Sequence, residues 1–225
     1  MDGGILNFIL LAGVIIVVTV LGAFADYKRR EALQALAARL GLSFSADRDD
    51  DLAAEYGFLD QWAHGSNSYA FNVLSGRYAD QSVRVFDYHY ESYTTSSKDS
   101  RQNQHHDLSF FVLTLPQDFP ELKISREGWF SKVAQAFGYA DIDFESAEFS
   151  RAFCVRSPDK KFAYDICNPQ MMEYLLANRD LNIEIEHQAL ALSFSGKMDV
   201  ETIEPNLQRL LEIRRRFPEY LFNST

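Results

Sequence analysis

Cysteine is scarce. The 225 residues hold two, Cys154 and Cys167, too few for a disulfide scaffold and in no C-x-x-C redox pair or zinc ladder. Basic residues are outnumbered: 22 Lys and Arg stand against 32 Asp and Glu, a formal net charge of -10. A non-specific nucleic-acid binder needs a basic footprint, so nucleic acid is excluded as a partner. No G-x-G-x-x-G or G-x-x-x-x-G-K-[ST] string cradles a phosphate. There is also no H-E-x-x-H helix for a catalytic zinc and no G-x-S-x-G nucleophile elbow. Nor does the chain show the alternating βαβ rhythm of a nucleotide-binding fold.

What is present first is a long apolar run. Residues 5–25 read ILNFILLAGVIIVVTVLGAFA and carry no charge. About 20 such residues, at roughly 1.5 Å each, cross a hydrocarbon layer of about 30 Å. A soluble helix would need a polar face, and this one has none. Ala23-Phe24-Ala25 resembles a small-x-small cleavage site. However, no Lys or Arg precedes the run, and it is longer than the roughly 7–15 residues of a signal. The basic cluster Lys28-Arg29-Arg30 follows the run. Positive charge stays on the cytoplasmic side, so the reading is an uncleaved anchor with its N-terminus out and its body in the cytoplasm.

The rest divides into juxtamembrane helices over 26–66 and an α+β domain over 67–225. That domain is either one continuous unit or two similar lobes, 67–138 and 150–225. The absence of a Gly/Ser or Pro linker favours one unit. Leu33, Leu36 and Leu40 form one stripe of a helix over 27–40 that Gly41 stops. Asp49-Asp50-Asp51 heads a second helix over 52–63, its carboxylates complementing the helix dipole.

From residue 69 the period becomes that of strands. Residues 69–75 and 82–91 flank a turn at 76–80. Residues 108–115 read as a central strand ended by Pro116, and 122–124 as a short one. A helix is expected over 128–137. Residues 153–157 and 162–166 flank Pro158-Asp159-Lys160-Lys161, the signature of a hairpin. Asn168-Pro169 starts a helix. Residues 181–186 and 189–194 pair through His187-Gln188, and a last helix covers 205–217. Arg214-Arg215-Arg216 sit at its end, where cations complement the dipole. Antiparallel hairpins with single helices between them make an α+β fold, a sheet with helices packed on it.

The polar stretch over 92–106, SYTTSSKDSRQNQHH, reads as an exposed hairpin loop. Candidate chemistry clusters around it. Asp87 and His89, two residues apart on a strand, share a face and are the candidate catalytic pair. His89, His105, His106 and Asp107 are candidate metal ligands across the hairpin. Adjacent histidines on a strand diverge, however, and a mobile loop loses about 1–2 kcal/mol of backbone entropy per ordered residue. Solvated histidines with no metal and no cofactor are therefore expected. Cys154 and Cys167, diagonal across the expected hairpin at about 7–8 Å, are expected to be buried free thiols.

Two strings, NVLSGRYADQSVRVFDYHY over 72–90 and FESAEFSRAFCVRSPDKKFAYD over 144–165, resemble an uncharacterised bacterial family of single-pass membrane proteins, a domain of unknown function. The likeness covers most of the chain after the anchor. It implies architecture and a bacterial inner-membrane location, and it carries no activity, cofactor or catalytic residue. The functional expectation is a membrane-tethered cytoplasmic module that binds or scaffolds a protein partner, with the bilayer itself contacted by 5–25. The alternative is a membrane-bound metal-dependent hydrolase using the His/Asp cluster.

Overall fold

The computed structural model describes residues 3–57, 66–95, 101–126 and 141–223. The expected helix over 128–137 lies outside the described residues, and the helix expected over 52–63 instead covers Asp50–Glu55 and closes at Tyr56, with 58–63 outside the described residues.

Helix α1 runs without interruption from Gly3–Leu40. Leu10, Leu11, Val14, Ile15, Ile16 and Val17 are all exposed. These positions circle the helix, so no rotation would hide them from water. Farther along, Leu33, Leu36 and Ala37 are buried in the core of the domain. One helix therefore has two parts, an apolar start that the protein leaves exposed and an end packed into the domain.

The strands are β1 (Ser43–Ser45), β2 (Ser66–Tyr78), β3 (Gln81–Thr95), β4 (Arg101–Arg126), β5 (Phe153–Arg156) and β6 (Ile183–Ser195). All six join one antiparallel sheet in the order β1-β2-β3-β4-β5, with β6 on the other side of β4. Strands from 67–138 and from 150–225 thus share a single sheet. The helices are α2 (Asp50–Glu55), α3 (Ala147–Ala152), α4 (Lys160–Ile166), α5 (Pro169–Ala177) and α6 (Val200–Arg215), with a closing 3-10 turn at Glu219–Phe222. The larger core lies on one face, where Val83, Val85, Phe111 and Leu113 meet residues of α1, α4, α5 and α6. A smaller core of Phe86, Tyr88, Phe110 and Val112 lies on the other face, under Leu52 and Tyr56. This is an α+β fold.

Several local expectations are corrected. The second half of the 153–166 hairpin is helix α4. Asp159 caps it by accepting the Phe162 amide at 3.0 Å, and Phe162, Ala163 and Ile166 share its buried face. Pro-Asp before such a spacing starts a helix as readily as it makes a turn. His187-Gln188 is not a turn either. His187 has φ 51, and residues on both sides of it pair with β4 rather than with each other.

β4 continues through Pro116. Its register against β6 slips between Thr114 and Phe119 and again between Phe119 and Leu122. Pro116 and Pro120 fall in these irregular stretches, where a missing N–H removes no ladder bond. Helix α6 begins five residues before Pro205, capped by Asp199. The expected loop is largely strand: 92–95 pair with 101–104.

Candidate functional site

Alternation on β3 puts Val83, Val85, Asp87, His89 and Glu91 on one face of the sheet. The first two residues enter the main core. Asp87 is the turning point, fully buried and ionisable. Its Oδ2 accepts Arg29 Nη2 at 2.7 Å and Asn72 Nδ2 at 2.9 Å. Its Oδ1 accepts the Met198 amide at 2.7 Å. Arg29 also donates to the Met198 carbonyl at 2.8 Å. Asn72 reaches in from a bulge of β2 with φ 51, a conformation that asparagine tolerates better than most residues. Asp87 thus ties the anchor helix, β2 and the approach to α6 together. Its oxygens are occupied by these donors, so it is not the partner of His89 expected from their spacing.

His89 turns instead to Asp107, directly opposite on β4, with Nδ1 to Oδ1 at 2.8 Å. His89 Nε2 lies 3.4 Å from His105 Nδ1. His105 Nδ1 lies 3.7 Å from Glu91 Oε1. Ligand atoms of His89, Glu91 and His105 lie within 4.8 Å of one another. Glu91 is held on two sides, by Asn67 Nδ2 at 2.8 Å and Asn103 Nδ2 at 3.2 Å. Rings stack in a row across the sheet: Arg48 lies 4.2 Å over Tyr69, Tyr69 is 4.9 Å from His89, and His89 is 5.4 Å from His105. His106 points to the opposite face, where it stacks on Tyr90 at 4.7 Å and bonds Ser92 Oγ at 2.8 Å.

Of the four expected metal ligands, His89, His105 and Asp107 come together and His106 does not. Glu91 was missed, although it continues the same alternation as Asp87 and His89. Arg29 was read only as a topology signal. Nothing in the local sequence links it to Asp87.

The cluster lies toward the anchor end of the domain. Leu42, just past α1, packs so close to Gly76 that a Cβ there would come within 3.1 Å of Leu42 Cδ2. Gly76 pairs with Val83. Arg29, farther back on α1, meets Asp87. β3 therefore advances toward the anchor from Val83 to Asp87, and His89 and Glu91 continue along that course. Beside them runs an open groove of about 480 Å³ between β6 and α6, lined in part by Ser109, Lys197, Asp199 and Arg209. Lys197 Nζ stands 3.9 Å from Asp107 Oδ2.

A second buried polar group lies on the opposite face. Lys123 is almost fully buried, with Glu121 and Glu184 each 2.9 Å from its Nζ. Glu186 joins the carboxylates there. Burial, reinforced by the charge of Glu121, raises its pKa. The lysine already occupies the place a cation would take.

No protein-family model and no curated protein matches the chain. Among solved structures, the chain is similar to a mycobacterial protein, the trehalose monomycolate transport factor A, with a TM-score of 0.56. The chain is similar in fold to TtfA. The alignment covers 85% of this chain and 95% of that one at 12% identity, so the likeness extends to the fold alone.

Proposed function

We propose that the chain is a non-enzymatic, membrane-tethered module that binds or scaffolds a protein partner at the inner face of a bacterial cell membrane. The observation that carries this reading is the join between anchor and domain. α1 is one unbroken helix, and Arg29 is locked to Asp87 and Met198. A loose tether would suffice to concentrate an enzyme near a membrane. A rigid one fixes which face of the domain looks along the bilayer, as docking to a neighbour in the same membrane requires. Lys28-Arg29-Arg30 support a cytoplasmic domain, because the positive-inside bias acts on the nascent chain before Arg29 meets Asp87. The fold likeness to a protein named as a transport factor supports an accessory role beside a membrane-transport process.

The test is photocrosslinking of the full chain in native membranes, from reactive residues placed one at a time at exposed positions such as Lys197 and Asn103. Discrete adducts are expected. They should weaken when Arg29 and Asp87 are both replaced by Ala, which removes the polar lock between α1 and β3 while Leu33 and Leu36 still hold the helix to the core. Absence of adducts, together with ester or phosphate hydrolysis by the purified full chain, would overturn the reading. Such activity would favour a membrane-bound metal-dependent hydrolase, for which the convergence of His89, Glu91 and His105 is the supporting observation.

A further inference from the structure

We propose that His89, Glu91 and His105 form a binding site for a divalent transition-metal ion of the zinc class, with Asp107 orienting His89. The site asks nothing of a partner and stands or falls apart from the docking reading.

The first argument is spacing. Zinc–nitrogen bonds are about 2.0–2.1 Å, so two ligand atoms on one tetrahedral ion are separated by roughly 3.3–3.4 Å. His89 Nε2 and His105 Nδ1 are 3.4 Å apart. Glu91 Oε1 is 3.7 Å from the same His105 nitrogen. All three ligand atoms lie within 4.8 Å of one another, so side-chain rotation would have to close the longer edges onto an ion.

The second argument is the state of the ligands. A metal needs a bare imidazole nitrogen. The contact of His89 Nδ1 with Asp107 Oδ1 at 2.8 Å assigns the proton to Nδ1, because a carboxylate only accepts. In the neutral ring that a metal requires, the lone pair is then on Nε2, facing His105. A carboxylate behind a ligating histidine fixes its tautomer and makes it a better donor.

The third argument is preorganisation. All four residues lie on adjacent strands. His89 pairs with Asp107, and Glu91 pairs with His105. The entropy cost that a mobile loop would impose is therefore absent. Asn67 and Asn103 already hold the Glu91 carboxylate. The His89 side chain is 12% exposed, while that of His105 is 65% exposed. The ion has a built floor and an open side where water completes the tetrahedron. Two imidazoles and one carboxylate suit zinc rather than calcium or magnesium, which prefer all-oxygen sites. Bound there, the ion would cross-link β3 to β4 beyond the hydrophobic core.

The experiment uses the full chain in detergent, stripped with a chelator and titrated with zinc chloride by calorimetry. Melting temperature and the visible spectrum of the cobalt(II)-substituted protein are read in parallel. One equivalent is expected to bind, raise the melting temperature and give the intense spectrum of a four-coordinate cobalt ion. His105→Ala and Glu91→Gln should each weaken binding at least ~10-fold, and Asp107→Asn by about 10–100-fold. His106→Ala should leave affinity unchanged. His105 is exposed, so its variant should fold, which circular dichroism checks. Absence of saturable binding would overturn the site. So would parent-like affinity in the His105 and Glu91 variants, or one ion per two chains.

Discussion

Arg29 Nη2 and Asp87 Oδ2 lie 2.7 Å apart although 58 residues separate them in the chain. The Asp87 side chain has no exposure and that of Arg29 is 22% exposed. Losing one partner of such a pair strands the other. Arg29→Ala should cost about 3–5 kcal/mol, because the carboxylate stays buried without its cation. Asp87→Ala should cost at least as much: Arg29 can reach water, but the buried Asn72 side chain and the Met198 amide lose their acceptor. The double variant should cost clearly less than the sum of the two. Chemical denaturation of the chain beginning at Asp26 measures all three. Strict additivity would mean that the contact contributes nothing.

That shortened chain should itself be soluble, whereas the whole chain should need detergent. The difference lies in apolar residues such as Val14 and Ile15, exposed all round the helix. A phosphatase fused after Thr225, active only outside the cytoplasm, should stay silent. A strong signal would reverse the orientation proposed from Lys28-Arg29-Arg30.

The β2–β3 turn contains a correctable strain. Ala79 and Asp80 have φ 47 and 64, the left-handed pair of a two-residue hairpin turn. A Cβ is disfavoured there, and asparagine tolerates the conformation better than alanine. Ala79→Asn should stabilise by about 0.5–1 kcal/mol, read as a rise in denaturation midpoint with an unchanged slope.

Glu186 provides a pH test. Burial first, and Glu121 second, raise its pKa. A carboxyl with a raised folded-state pKa favours folding below its ordinary range and loses that contribution as pH climbs through the raised value. Glu186→Gln should therefore raise the melting temperature at neutral pH, and the gain should fade below the ordinary carboxylate range. A gain that is constant with pH would show that charge is not its cause.

Neither cysteine is in a disulfide and both are buried, and burial pushes the Cys167 thiol well above its usual range. The thiolate is the reactive form. A thiol reagent should label Cys167 at the rate of unfolding in the native protein and immediately in denaturant. Fast native labelling would place it at the surface.

Much of the architecture was readable because it is local. Asn168-Pro169 announced α5, and the Asn168 side chain does cap the Met171 amide at 3.1 Å. The stripe of Leu33 and Leu36 marked the buried face of α1. Errors arose where one local signal serves two structures. Pro158-Asp159 suits a turn or a helix start, and the buried spacing of Phe162 and Ile166 decides for the helix. The polar composition of 92–106 suggested a loop, yet half-exposed strands are polar too when no layer covers them. Of the candidate site, the divergence of His105 and His106 followed from strand geometry alone. The pairing of His89 with Asp107 instead of Asp87 needed the register of β3 on β4.

By itself the sequence determined that an uncharged segment leads into an acidic α+β domain, because length, charge and hydrophobic period are properties of neighbouring residues. Only the tertiary structure decided what Asp87, Glu91 and Arg29 do. Asp87 and His89 share a strand face, but a carboxylate bonds whichever donors the fold delivers. α1, β2 and the approach to α6 deliver three to Asp87, which leaves His89 to its cross-strand partner Asp107.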